Sequence, residues 1–161
     1  MLEDVLRPGA SVLDVGSGSG ILLPLFWSLV RPGGRVVGVD KHAPLVDASR
    51  APVAAAAPDG VSSGAVQLRV ANVLAPGALG DDARNAFDAI HVGAAAAEVP
   101  ACLVDALKPG GKLILPVGPD GGEQVLQLVT KGEDGRVSVD SLMGVRYVPL
   151  TPPGKDKYGG L

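Results

Sequence analysis

The sequence predicts an α/β protein: an open, mainly parallel sheet with helices on both faces and a β-hairpin at the C-terminal end. Three observations predict it. Short apolar runs of strand length alternate with segments of helical spacing, the pattern of strands joined by helical crossovers. A glycine-rich loop, residues 16–20, separates the first such strand from the first helix. After residue 117 the helical segments stop, and two β-type runs flank a Glu133-Asp-Gly135 turn.

The elements follow in order. Ser11 to Val15 (SVLDV) is a short buried strand that runs into the loop Gly16 to Gly20. Ile21 to Val30 is a helix with Pro24 in its first turn, where a missing N–H costs nothing. Arg31-Pro-Gly-Gly34 stops it, and Arg35 to Val39 (RVVGV) is the second strand, closed by Asp40. Pro44 opens a helix to Arg50, which Pro52 is expected to kink or end, with one more turn at Ala54 to Ala57. Ala65 to Val70 and Phe87 to Val92 are the third and fourth strands, separated by a loop containing Pro76, Gly77 and Gly80. Apolar residues at 99, 102, 103, 106 and 107 predict a helix over Val99 to Leu107. Lys112 to Val117 is the fifth strand, Gln124 to Lys131 and Arg136 to Asp140 form the hairpin, and Val145 to Leu150 is a further extended segment. Residues 1–151 read as one domain and 152–161 as a flexible tail.

Composition narrows the function. A chain of 161 residues that is 47% hydrophobic and 19% charged can bury a real core. Aromatics are only 3%, so that core is aliphatic. The net charge is −3 and no segment concentrates Lys and Arg, which argues against a nucleic-acid partner. One cysteine excludes an internal disulfide and fits a reducing compartment. The apolar run Ile21 to Val30 is too short to span a bilayer. A cytoplasmic, monomeric protein with no membrane partner is expected. Two histidines and one cysteine offer no metal-ligand spacing.

The chemistry gathers at Leu13-Asp-Val-Gly-Ser-Gly-Ser-Gly20. A dinucleotide fingerprint reads G-x-G-x-x-G, with pyrophosphate over the helix N-terminus. Here the spacing is G-x-G-x-G, with Asp14 two residues ahead of the first glycine. A carboxylate there repels a pyrophosphate but suits a ligand bearing an ammonium and a sulfonium. Asp40 ends the next strand, 20 residues after Gly20, where a carboxylate can accept both hydroxyls of a ribose. A generic strand–loop–helix unit with incidental glycines competes with this reading; loop, Asp14 and Asp40 together disfavour it.

The stretches LDVGSGSG, FDAIHVGAA, LKPGGKLILPVG and LMGVRYVPLT resemble the protein-L-isoaspartate O-methyltransferase family, in order from about residue 8 to Thr151. The first alone indicates only a class I methyltransferase; the others are more specific. The resemblance implies a Rossmann-like class I S-adenosylmethionine-dependent methyltransferase, with S-adenosylmethionine as cofactor. It implies isoaspartyl-containing peptides and proteins as substrates, whose methyl esters cyclise to succinimides in protein repair. It places Gly16, Ser17 and Gly18 at the methionine part of the cofactor, Asp40 at the ribose, and Asn72 and Val73 at the adenine, with Asp14, Gly20 and Lys41 also expected in the cofactor site. By the same resemblance Val145, Tyr147 and Thr151 border the substrate.

There are departures. Asn72-Val73 stands where the family usually has Asp-Gly, and Lys41 where a His is common. The family also has an N-terminal segment with a Ser-containing motif that covers the cofactor. About ten residues precede the first strand here, so that motif maps onto no residue. Residues 1–161 alone are therefore expected to bind the cofactor but to turn over little, and a methyltransferase-like module that binds cofactor or partner without catalysis is the alternative. An NAD-dependent oxidoreductase is a third reading, which Asp14 disfavours. No catalytic base is identified, and a carboxylate nucleophile needs none, since it is ionised well above pH ~4. His91 is open to a ligand role, with a satisfied structural histidine preferred. His42 is expected to face solvent, Cys102 to pack in the core, and Asp88 to be either structural or pocket-ordering.

Overall fold

In the computed structural model, which describes residues 1–154, one seven-stranded sheet runs through the described residues. The elements are β1 (Ser11–Val15), α1 (Leu22–Val30), β2 (Arg35–Asp40), α2 (Ala43–Ala56), α3 (Pro58–Ser62), β3 (Val66–Val70), β4 (Phe87–Val92), α4 (Ala101–Ala106), β5 (Leu107–Val117), β6 (Gln124–Lys131) and β7 (Val137–Val145), with a 3-10 turn at Asp81–Ala83. The strand order is β3-β2-β1-β4-β5-β6-β7. The pairings from β3 through β5 are parallel, and β5-β6 and β6-β7 are antiparallel. The α/β class, the parallel sheet and the C-terminal hairpin are as the sequence predicts. The expected tail lies outside the described residues beyond residue 154.

Strand alternation sorts the core into two faces. Val12, Val36, Ala89 and Ile114 pack with Leu23, Phe26, Trp27 and Val30 of α1 and with Val53 of α2. Leu13, Val15, Val37, Val39, Ile90, Leu113 and Leu115 pack on the other face with Leu103 and Ala106 of α4. The sheet order reverses between β1 and β4, and in open α/β sheets the crevice at that switch point, outside the carboxyl ends of the strands, is where ligands bind.

Three elements differ from the sequence reading. Pro52 does not end α2, which runs on to Ala56. Val46, Ser49 and Val53 are buried along one stripe, and that packing outweighs the ~3 kcal/mol an interior proline costs. The helix expected over 99–107 is only Ala101–Ala106. Pro100 caps it, its ring disfavours helical backbone at Val99, and Leu107 already pairs with Phe87 in β5. The Lys108–Gly111 stretch thus lies inside β5, with a register shift between Phe87 and Ala89, rather than in a loop before it. Finally, β7 extends to Val145, longer than the expected Arg136 to Asp140.

Asp88 is resolved as structural. Its Oδ2 accepts from Ser11 N at 2.8 Å and Lys108 Nζ at 2.7 Å, at the amino end of the sheet, opposite the crevice.

Gly20 shows how tightly the glycine loop is packed. Its φ is +75°, and a Cβ there lies 2.6 Å from Val53 Cγ2 and 3.3 Å from Ser49 Cβ. Gly20→Ala is expected to destabilise the fold by ~2–4 kcal/mol, left-handed strain and overpacking combined, read from the midpoint of urea denaturation.

Candidate cofactor site

A cavity of about 370 Å³ opens at the switch point. Gly16, Gly18, Gly93 and Ala94 line it beside β1 and β4, Asp40, Lys41 and His42 beside β2, and Asn72 and Val73 beside β3. Val148, Pro149, Leu150 and Thr151 form the remaining wall.

The loop geometry is set by backbone hydrogen bonds. Gly16 N and Ser17 N both donate to Val39 O, at 2.8 and 3.1 Å, and Gly20 N donates to Ser17 O at 2.8 Å. Gly18 N donates to Asp40 Oδ2 at 3.0 Å, while His42 N donates to Asp40 Oδ1 at 2.9 Å. Asp40 is only 7% exposed, so these two amides hold its charge in place. Each carboxylate oxygen keeps acceptor capacity toward the cavity it lines. On the other side a Cβ at Gly93 meets Gly16 O at 3.1 Å, so a larger residue crowds the floor where the two loops meet.

The structure brings together Gly16, Gly18, Asp40, Lys41, Asn72, Val73 and Thr151 among the residues singled out from sequence. It does not bring Asp14, Ser17, Gly20, Val145 or Tyr147 to the cavity wall. Asp14 is 1% exposed and points to the α1 face, where its Oδ1 takes a 2.7 Å hydrogen bond from His91 Nδ1. Strand alternation and the Asp14↔His91 register put both on that face. His91 is thus the satisfied histidine preferred from sequence, stacked at 6.2 Å from Phe26. Ser17 turns its side chain toward β2, near Gly38 and Leu23, and its Oγ has no partner among the described residues. Gly20 serves the packing of α2 against the loop. Val145 ends β7 opposite Gln124, and Tyr147 is exposed beyond it.

One further expectation holds and one is corrected. His42 is exposed, as expected; it also borders the cavity, and its amide helps to hold Asp40. Cys102 is exposed rather than core: the buried stripe of α4 is Leu103 and Ala106, and Cys102 lies beside it. Its Sγ lies 3.5 Å from Val73 O, and desolvation pushes the thiol pKa up, which opposes a nucleophile's role. Among the described residues no cluster of His, Cys, Asp and Glu could hold a metal ion, and no helix is long and apolar enough to cross a membrane.

One residue that sequence reasoning missed organises the far wall. Gln124, 2% exposed, accepts from Tyr147 N at 2.7 Å through Oε1 and donates to Tyr147 O at 3.1 Å and Pro119 O at 3.3 Å through Nε2. Its strand also carries Gln127, Thr130 and Lys131, so no signal in the sequence set Gln124 apart.

The chain matches the family model for protein-L-isoaspartate(D-aspartate) O-methyltransferase over residues 1–155. It belongs to that family. It is 45% identical over 152 residues to the protein-L-isoaspartate O-methyltransferase of Triticum aestivum, covering 94% of this chain and 64% of the relative. Protein-L-isoaspartate O-methyltransferase 1 of Arabidopsis thaliana is similar to the same degree, 45%, with the same shares covered. A crystal structure from Plasmodium falciparum, assigned to the family and holding S-adenosyl-L-homocysteine, superposes with a TM-score of 0.84 at 33% identity, over 93% of this chain and 69% of that one. The chain thus spans just under two thirds of the length of the plant relatives, and its fold is that of the S-adenosylmethionine-dependent methyltransferases.

Replacing Gln124 with Met keeps the length and removes three hydrogen bonds. The variant is expected to lose ~1–3 kcal/mol of stability, because three part-buried hydrogen bonds to Tyr147 and Pro119 are lost. A shift in thermal midpoint checks this.

Proposed function

We propose that this chain serves a protein-L-isoaspartate O-methyltransferase, which moves a methyl group from S-adenosylmethionine to the carboxyl of isoaspartyl residues in damaged proteins. The observation that carries the cofactor choice is the fate of the loop amides. A pyrophosphate at a strand–loop–helix turn needs free backbone donors. Here Gly16 N, Ser17 N, Gly18 N and Gly20 N are taken by Val39, Asp40 and Ser17. Four of the five loop amides are thus engaged within the fold, which leaves few donors for an anion and disfavours an NAD-dependent oxidoreductase.

The residues present fit S-adenosylmethionine. Asp40 offers fixed acceptors to the two hydroxyls of a ribose, and Asn72 and Val73 flank the end of the cavity suited to adenine. Gly16, Gly18 and Gly93 leave open surface at the opposite end for the methionine part. The cofactor supplies a methyl group on a sulfonium sulfur. What the chain's own residues supply is placement and exclusion of water. The wall is largely apolar, with Val15, Val39, Leu45, Ala71, Val73 and Leu150 among its lining. Desolvation of this kind, with the nucleophile held in line, is the catalysis a carboxylate substrate needs, since it requires no proton removed. Tyr147, Val145 and Thr151 belong to the reading as neighbours of the substrate; the exposure of Tyr147 beside the cavity wall supports this. The reading also includes a monomer acting in the cytoplasm on protein substrates, without a nucleic-acid or membrane partner; the net charge of −3 supports the lack of a nucleic-acid partner.

The test is transfer of labelled methyl groups by the full gene product to an isoaspartyl peptide and to its normal aspartyl twin. Transfer to the isoaspartyl form alone is expected. Equal or zero transfer to both rejects the function, and cofactor binding without transfer indicates a binding module instead.

Asp40→Ala is expected to weaken S-adenosylhomocysteine binding by one to a few orders of magnitude, since each charge-assisted hydrogen bond contributes ~1.5–3 kcal/mol. Calorimetry on a variant with unchanged circular dichroism measures it; an unaltered dissociation constant removes Asp40 from the ribose.

A further inference from the structure

The segment after β7 crosses the carboxyl edge of the sheet as a strap, residues 147–151, and walls the cavity with Val148, Pro149, Leu150 and Thr151. It is anchored along its length. Gln124 clamps both backbone groups of Tyr147. Ala95 N donates to Val148 O at 2.8 Å, and Leu150 N donates to Ala95 O at 2.7 Å. At the far end Thr151 is held twice. Lys41 Nζ donates to its hydroxyl, and Asn72 Nδ2 donates to its backbone carbonyl at 3.0 Å. The strap's last residue is therefore tied to the loop that carries Asp40 and to the loop that ends β3.

We propose that Asn72 is a positioning residue that latches this strap over the adenosine end of the cavity, so that its amide donor sets how long a cofactor stays bound. The proposal rests on the S-adenosylmethionine reading above. The two polar atoms of Asn72 have separate duties. Oδ1 accepts from Leu74 N at 3.1 Å and folds the loop on itself. Nδ2 reaches across to Thr151, 79 residues away. A carboxylate at this position keeps the first duty and fails the second, because it has no proton to give and sets an oxygen against a carbonyl oxygen. The strap thus requires the neutral amide, whatever adenine requires. A ligand beneath the strap leaves when Thr151 lifts, and losing the Asn72 bond makes lifting easier.

Asn72→Asp isolates the donor, since it is nearly isosteric and retains the bond from Leu74. Two rates are read: hydrogen exchange of the Leu150 amide without ligand, and dissociation of S-adenosylhomocysteine. Both are expected to rise about 5- to 10-fold, the effect of one net hydrogen bond. Lowering the pH toward the ordinary carboxyl range of about 4 returns a proton, and with it a donor, so the excess over the unaltered chain shrinks as pH falls. Lys41, Asp40 and His42 border the same cavity. The Lys41 cation, and His42 when protonated, move that recovery to lower pH, and the Asp40 anion moves it to higher. Asn72→Ala, which lacks a donor at every pH, is expected to show the acceleration without the recovery. The latch is overturned if both variants exchange Leu150 and release ligand within about twofold of the unaltered chain, or if the acceleration in Asn72→Asp ignores pH. Failure of the unaltered chain to bind S-adenosylhomocysteine rejects the cofactor reading and with it the residence-time role, while Leu150 exchange without ligand still decides whether Asn72 holds the strap.

Discussion

A carboxylate only 7% exposed must have its charge met, and Asp40 has it met by backbone. One oxygen takes the amide of Gly18 and the other the amide of His42. These two bonds join the glycine loop after β1 to the turn after β2, and the curl of that loop over Val39 follows from the same arrangement. Without the acid the loop loses the anchor that keeps its glycines at the cavity wall. The acid is equally dependent on the loop, since two unpaired amides and a desolvated charge are each costly alone. The rest of the site is built around this joint, with the floor at Gly16 and Gly93, the β3 end at Asn72, and the strap laid across.

Much of the fold was legible because strands in a doubly covered sheet are continuous apolar runs, and β1, β2 and β4 are of that kind. Element ends were less legible where packing overrides propensity. Pro52 reads as a stop, yet the stripe Val46, Ser49, Val53 carries the helix past it. In α4 the apolar spacing suggested a helix three residues longer; Pro100 starts it late, and the pairing of Leu107 with Phe87 takes Leu107 into β5.

The candidate site was legible in part for a related reason. Sequence spacing places a residue along the chain but leaves open which way its side chain turns once the loop is folded. Asp14, Ser17 and Gly20 all sit in the motif, and they face α1, β2 and α2 respectively, leaving Gly16 and Gly18 at the wall. For Asp14 the alternation of β1 already holds the answer, since Val12 and Asp14 share a face, but the partner that makes its burial tolerable, His91, is 77 residues away. The strap was less legible still. Its bonds from Asn72, Lys41 and Gln124 bridge separations of 79, 110 and 23 residues, and only the assembled sheet brings them to one edge.

These placements bear on what the site can do. The charged side chains of the motif are spent on structure: Asp14 on His91 and Asp40 partly on two amides. The cavity they leave is mainly aliphatic, and His42 at its rim is the one imidazole that borders it. That inventory suits a reaction in which both partners arrive already activated, one as a carboxylate ionised at neutral pH and one as a sulfonium. Acid–base chemistry needs a group poised within reach of the proton it moves. Transfer between two charged partners needs chiefly water kept away and atoms kept in line, since desolvation strengthens the interactions inside and positioning removes the entropic part of the barrier. On the proposed reading, a strap clamped by Gln124 at one end and by Asn72 and Lys41 at the other suits that task, because it holds the cavity wall in place.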